Sequence, residues 1–144
     1  MLDLDHFKNF NDTYGHEAGD AVLREAAAFL KRSVRAEDIV CRYGGEEFVI
    51  ILPLADANAT QGRAERIRSK LQELVVLHEG KSVGSVSVSV GVAALPVHGE
   101  SSKALLEAAD AALYRAKREG RDRVVMAELA APRREECAAL QEKA

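Results

Sequence analysis

The sequence predicts an α+β domain in which helices surround one mixed sheet of five strands. Two observations carry this. Segments of strand period alternate with segments of helical period, and they do so in the order strand, helix, helix, hairpin, helix, strand, helix, strand. No internal repeat or low-complexity linker interrupts that order, and 144 residues fit one domain that buries roughly 70% of the surface its unfolded chain exposes.

The opening MLDL reads as a short apolar strand, and HFKNFNDTYG as a short helix capped by Asp5 and stopped at Gly15. Across residues 20–34, Val22, Leu23, Ala26, Ala27, Leu30 and Val34 mark one face of an amphipathic helix. DIVCRY and EFVIILPL then form a β-hairpin ended by Pro53. Its turn is assigned to Gly44 and Gly45, because two-residue hairpin turns require positive φ. Residues 56–76 carry Ala64, Ile67, Leu71, Leu74 and Val75 on the face expected to pack on the sheet.

The clearest strand follows. Val86, Val88, Val90 and Val92 alternate with Ser85, Ser87, Ser89 and Gly91, so one face is branched and apolar and the other is small. Residues 102–119 return to helix with Leu105, Leu106, Ala109, Ala112, Leu113 and Ala116 inward, Gly120 ends it, and RVVM closes the sheet. The domain is expected over residues 1–126. An Ala- and charge-rich tail occupies 127–144, read as a frayed terminus rather than a helix after Pro132.

Composition narrows the function. No apolar run approaches the roughly 20 residues that span a bilayer. Met1 leads into Asp3 and Asp5 without a basic or apolar signal segment, so a cytoplasmic setting is expected. Cys41 and Cys137 lack metal-ligand spacing and read as reduced thiols. A net charge of -3 offers no general polyanion surface, which argues against nucleic-acid wrapping and makes any anion site local.

Asp3, Asp5 and the Glu46-Glu47 pair all fall at strand ends beside turns. Side chains alternate along a strand, so Asp3 and Asp5 share a face and one of the two glutamates is expected to join them. Carboxylates without His or thiolate partners suit Mg²⁺ or Mn²⁺, which share oxygen ligands with substrate phosphates. Gly44 and Gly45 would also let a nucleotide approach the backbone. Lys8 lies in a first helical turn, where free N–H groups favour an anion, and Lys117 and Arg121 stand four residues apart around a helix end. Each of these cations alone reads as an ordinary solvated charge; together they suggest a phosphate site.

The stretches DLDHFKNFNDTYGHEAGDAVL, RYGGEEF, SVSVGVA and ADAALYRAKREGRD resemble, in order and spacing, the GGDEF domain family of diguanylate cyclases across residues 2–126. GGEEF is a usual form of that signature. The resemblance implies a nucleotidyl-cyclase-like fold with a mostly antiparallel sheet, which condenses two GTP into cyclic di-GMP with release of two pyrophosphates. It makes Asp3 and Glu46 metal ligands, with the carbonyl of Leu4 assisting, and gives the triphosphate to Lys8, Lys117 and Arg121. Asn11 and Asp20 would read guanine, whose N1–H and N2–H donors suit a carboxylate where adenine has no matching pair. Asp20 also reads as a carboxylate near a helix N-terminus, and the two roles are compatible. Each site would hold one nucleotide, so a homodimer is implied, and the acceptor of the 3′-hydroxyl proton stays open between Glu47 and a metal-bound hydroxide.

Arg35 and Asp38 form an R-x-x-D pair at the spacing of that family's inhibitory product site, which Arg66 would complete by the same resemblance. Arg can fork onto guanine O6 and N7 while Asp accepts from the Watson–Crick edge; the plain alternative is a helix-end salt bridge. Relatives carry a further helix and a D-x-L-T-G-L-x-N-R-R segment ahead of the first strand. That segment is not in this sequence, so exposed apolar surface is expected. An upstream sensor domain normally pairs two such domains. Asp122 stands where Asn is commoner and is expected to weaken the hold of Arg121 on phosphate. The competing reading is a non-catalytic module that binds GTP or cyclic di-GMP; the presence of Asp3, Gly44, Gly45, Glu46 and Lys117 favours catalysis.

Overall fold

The computed structural model describes residues 1–129. The expected tail beyond them, with Pro132 and Cys137, lies outside the described residues. The strands are β1 (Leu2–Leu4), β2 (Ile39–Gly44), β3 (Glu47–Ile51), β4 (Leu77–His78), β5 (Lys81–Ser82), β6 (Val88–Val92) and β7 (Val124–Met126). The helices are α1 (Phe7–Tyr14), α2 (His16–Ser33), α3 (Ala57–Gln72) and α4 (Ser102–Arg118). Five strands form one sheet in the order β2-β3-β1-β6-β7, and β4 and β5 make a separate ribbon. Every pairing in the main sheet is antiparallel except β6 with β7, whose parallel run follows from the α4 crossover between them. The expected α+β fold with a mixed sheet is therefore present.

The centre of the sheet determines where the chemistry can sit. Three-residue β1 is buried along its whole length, flanked by β3 and β6, so Asp3 is carried into the core between Leu2 and Leu4. All of β6 is buried as well. Its small face admits α4 closely: a Cβ on Gly91 would sit 2.9 Å from Leu113 Cα and closer still to the Ala109 carbonyl oxygen and the Leu113 amide nitrogen. Val88, Val90 and Val92 join Leu4, Leu30, Phe48 and Leu71 in the main core.

Several local expectations are corrected. Asp5 does not cap α1; His6 holds the N-cap position at φ 57 without a side-chain cap bond, and the Asp5 carboxylate instead accepts from the hydroxyls of Ser87 and Ser89, each at 2.7 Å. Helix α2 begins at His16 rather than Asp20, because Ala18 and Gly19 are already buried and Gly15, at φ 86, separates it from α1. The hairpin turn is Gly45-Glu46, not Gly44-Gly45. Gly44 still pairs with Glu47, a bulge shifts the register between Arg42 and Gly44, and only Gly45 of the two glycines has positive φ.

Asp56 caps α3 by accepting from the Ala59 N–H at 2.7 Å, and that helix stops at Gln72, which leaves Val75 exposed beyond its end. Leu106 is also exposed. Ile51, Leu54, Leu95 and Leu106 are exposed and, with Ile67 and Leu105, line an apolar cleft of about 370 Å³. No helix among the described residues is long and apolar enough to cross a membrane.

Candidate active site

Because β1 is both short and central, the residues that flank it in the sheet fix the surroundings of Asp3. Glu47 is its register partner on β3, and directly opposed residues of an antiparallel pair face the same side. The Leu4 N–H donates to the Glu46 carbonyl at 3.3 Å and ties the hairpin turn to the end of β1. From the other side, the last turn of α4 brings Lys117 Nζ to 2.7 Å from Asp3 Oδ2. Asp3, Glu46, Glu47 and Lys117, far apart in the chain, thus meet in one place. A cavity of about 280 Å³ opens there, lined by Glu47, Asp110, Ala111, Leu113, Tyr114 and Lys117.

Burial lifts the Asp3 carboxyl above its usual range. Lys117 acts the other way, and the charges of Glu46 and Glu47 add to the lift. Three carboxylates with one ammonium among them leave negative charge uncompensated. Asp5 stays outside this group, held by Ser87, Ser89 and the Asp122 N–H. Among the described residues no group of three or more His, Cys, Asp or Glu lies close enough to hold a metal by itself. Mg²⁺ does not require one, since it keeps waters and takes one or two carboxylates plus substrate phosphates. The oxygen donors of Asp3, Glu46 and the Leu4 carbonyl fit that chemistry.

A second set of residues lies on α1 and α2. The Asn11 side chain rests against Gly19: a Cβ there would lie 2.9 Å from Asn11 Cγ and 3.2 Å from the Phe7 ring, and would overlap Asn11 Oδ1 outright. Asn11 Oδ1 is buried without a hydrogen-bond partner among the described residues. A buried carbonyl left unpaired costs about 1–3 kcal/mol, which a ligand donor would recover. Asp20, next to Gly19, is exposed on the fifth residue of α2, so it is not the helix-starting carboxylate expected; Glu17 occupies the first turn. Gly19→Ala is therefore expected to push Asn11 out of place and to destabilise the domain by about 1–3 kcal/mol through overpacking, as a urea titration would report.

Lys8 stands exposed in the first turn of α1, and Arg121 follows α4 at φ 63. Among the described residues neither side chain has a partner. Asp110 and Tyr114 were missed in the sequence, although they share one helical face with Lys117 at spacings of four and three.

Comparison with known proteins assigns the family. The family model described as "Diguanylate cyclase, GGDEF domain" matches residues 1–123. The chain belongs to the GGDEF domain family. It is 46% identical over 126 residues to Diguanylate cyclase A of Treponema denticola, covering 88% of this chain and 34% of that protein. It is 48% identical over 130 residues to the response regulator PleD of Caulobacter vibrioides, covering 87% of this chain and 28% of PleD. The GGDEF domain spans about a third of these relatives. Among solved structures, the GGDEF domain of DgcB from Caulobacter crescentus in complex with c-di-GMP superposes with a TM-score of 0.79 at 41% identity. That match covers 87% of this chain and 74% of the other.

The R-x-x-D segment of this GGDEF domain is arranged differently from a simple Arg–Asp pair. The Arg35 backbone N–H, not its guanidinium, donates to Asp38 Oδ2 at 2.7 Å, while the Arg35 side chain is exposed and only loosely faces Glu37 at 3.8 Å. The Asp38 carboxylate is paired with Arg63 of α3 through a short contact, and that pairing holds its carboxyl below the usual range. Arg66 is exposed without a partner among the described residues. Arg63 was not singled out in the sequence, because its contact lies 25 residues away and follows no local period.

Proposed function

We propose that this GGDEF domain is a diguanylate cyclase that joins two GTP molecules into cyclic di-GMP and releases two pyrophosphates. The observation that carries the reading is the meeting of Asp3 with the GGEEF hairpin on one side and Lys117 on the other, at the wall of a cavity. Asp3 and Glu46, with the Leu4 carbonyl, hold Mg²⁺ or Mn²⁺, which when bound neutralises phosphate charge and activates a hydroxyl. Lys117, Arg121 and Lys8 bind the triphosphate and set the α-phosphorus for in-line attack. Asn11 and Asp20 bind the guanine edge, and Gly44 and Gly45 give the nucleotide access to the backbone.

The 3′-hydroxyl oxygen of one GTP forms the new bond to the α-phosphorus of the other. The bond to pyrophosphate breaks, and the proton passes to Glu47 or to solvent. The same step repeated in the opposite sense closes the ring. One nucleotide per domain requires two copies face to face, so the working unit is a homodimer, brought together in the cytoplasm by an upstream sensor domain. Incubation with GTP and Mg²⁺ should yield pyrophosphate and cyclic di-GMP in a ratio of two to one, and ATP should yield no cyclic dinucleotide. Pyrophosphate from both nucleotides alike would remove the guanine assignment.

Cyclic di-GMP would bind back at Arg35, Asp38 and Arg66 and slow the reaction, with Asp38 exchanging its buried pairing to Arg63 for the guanine edge. The exposed, loosely held Arg35 guanidinium supports this, since it is available to fork onto guanine. Arg35→Ala is expected to raise the product concentration for half-inhibition at least about tenfold, the loss of one bidentate contact, with turnover unchanged at low product. Equal inhibition of both proteins would place product control elsewhere.

A further inference from the structure

We propose that Asp122 is a positioning residue for Arg121, gripped from two sides so that the guanidinium after α4 is aimed at the triphosphate. This rests on the reading of Arg121 as a phosphate ligand. Arg121 and Asp122 are consecutive non-glycine residues in the left-handed region, at φ 63 and 46, a conformation that persists only where the surroundings impose it. Backbone hydrogen bonds hold both residues. The Arg121 N–H reaches back to the Ala116 carbonyl at 3.0 Å, and its own carbonyl accepts from Arg123 Nε at 3.1 Å. The Asp122 N–H donates to the buried Asp5 carboxylate at 3.1 Å, the same group held by Ser87 and Ser89.

The second grip comes from α3. Asp122 Oδ1 accepts from Arg68 at 2.5 Å, and Oδ2 accepts from Gln72 Nε2 at the same distance. Arg68 is itself oriented by Glu65, through Nε at 2.9 Å and a terminal nitrogen at 2.6 Å. The negative charge of Asp122 is therefore matched by Arg68, not by its neighbour. On this reading Asp122 supports the phosphate hold of Arg121, the opposite of the effect expected from its charge alone. What the clamp leaves free is the Arg121 guanidinium, which has no partner among the described residues. A cation on a fixed backbone keeps less freedom to lose when it binds an anion.

The test uses the full chain, a non-hydrolysable GTP analogue for binding, and GTP turnover for kinetics. Asp122→Ala is expected to weaken analogue binding and raise KM about tenfold with kcat changed far less, a uniform-binding loss. Arg68→Ala, remote from the nucleotide, is expected to move KM the same way, and Asp122→Asn to recover most of the loss by keeping the Gln72 contact. In an Arg121→Ala background, Asp122→Ala should add nothing further. Additive effects, or a lowered melting temperature with unchanged KM, would overturn the positioning role. Loss of binding in Arg121→Ala but not in Asp122→Ala would overturn it while leaving the cyclase reading intact. Failure of the unmodified chain to bind the analogue would overturn both.

Discussion

Asp3→Asn is expected to cut cyclic di-GMP formation by about 10³-fold, the several kcal/mol that a lost metal-binding oxygen represents, while leaving the domain folded. The two effects separate because the burial that costs Asp3 its charge stability is independent of its proposed role as a metal ligand. It is buried in the middle of a central strand beside Glu46 and Glu47, and burial first, then those charges, raises its carboxyl above the usual range despite Lys117. The folded state therefore binds this proton more tightly than the unfolded state does. The resulting stabilisation is fully present below the unfolded pKa, about 3.9, and is lost as pH rises through the folded value. At neutral pH the ionised Asp3 subtracts from stability, and asparagine, which does not ionise, removes that subtraction. Asp3→Asn should thus melt no lower than the unmodified chain at pH 8, and its advantage should shrink toward acid. Thermal melts at both ends, run beside product assays, check this.

Gly91→Ala is expected to be the most damaging single methyl group in the domain, destabilising it by about 3 kcal/mol or more. The added carbon would land on backbone atoms of Ala109 and Leu113, which have no rotamer to yield, so α4 as a whole must withdraw from β6. That movement would also separate Lys117 from Asp3, and activity should fall with stability. Gly62 provides the contrast. It lies inside α3 with nothing within 4 Å of the place a Cβ would take, so Gly62→Ala should stabilise by roughly 0.5–1 kcal/mol through helix propensity alone. Urea midpoints of the two variants should move in opposite directions.

How much of this was legible in the chain follows from range. The strands and helices that build the sheet carry their own periods: valines at every second position of β6, and Ala109, Ala112, Leu113 and Ala116 along α4. The β4–β5 ribbon went unread because two residues per strand leave no period to detect, although Glu79 and Gly80, both at positive φ, mark its turn. The hairpin turn was misplaced by one residue because a bulge is a property of the paired strands, not of the glycines. Asp5 was assigned a local cap when its partners lie 82, 84 and 117 residues away.

The site divides in the same way. Carboxylates at strand ends and the cations expected to hold phosphate were visible, but the contact of Lys117 with Asp3 was not, because nothing local links β1 to α4. Arg63 on Asp38 and Arg68 on Asp122 are contacts between α3 and distant loops, and no reading of spacing along the chain would have found them.

The central claim is that the hairpin glutamate and Asp3 serve a reaction between two copies of the domain. The direct test is cyclic di-GMP formation from GTP and Mg²⁺ over a range of protein concentrations, with Glu46→Ala alongside. Product that rises faster than linearly with protein and disappears in Glu46→Ala is the expected result. Saturable GTP binding without product at any concentration, or equal product from Glu46→Ala, would contradict it.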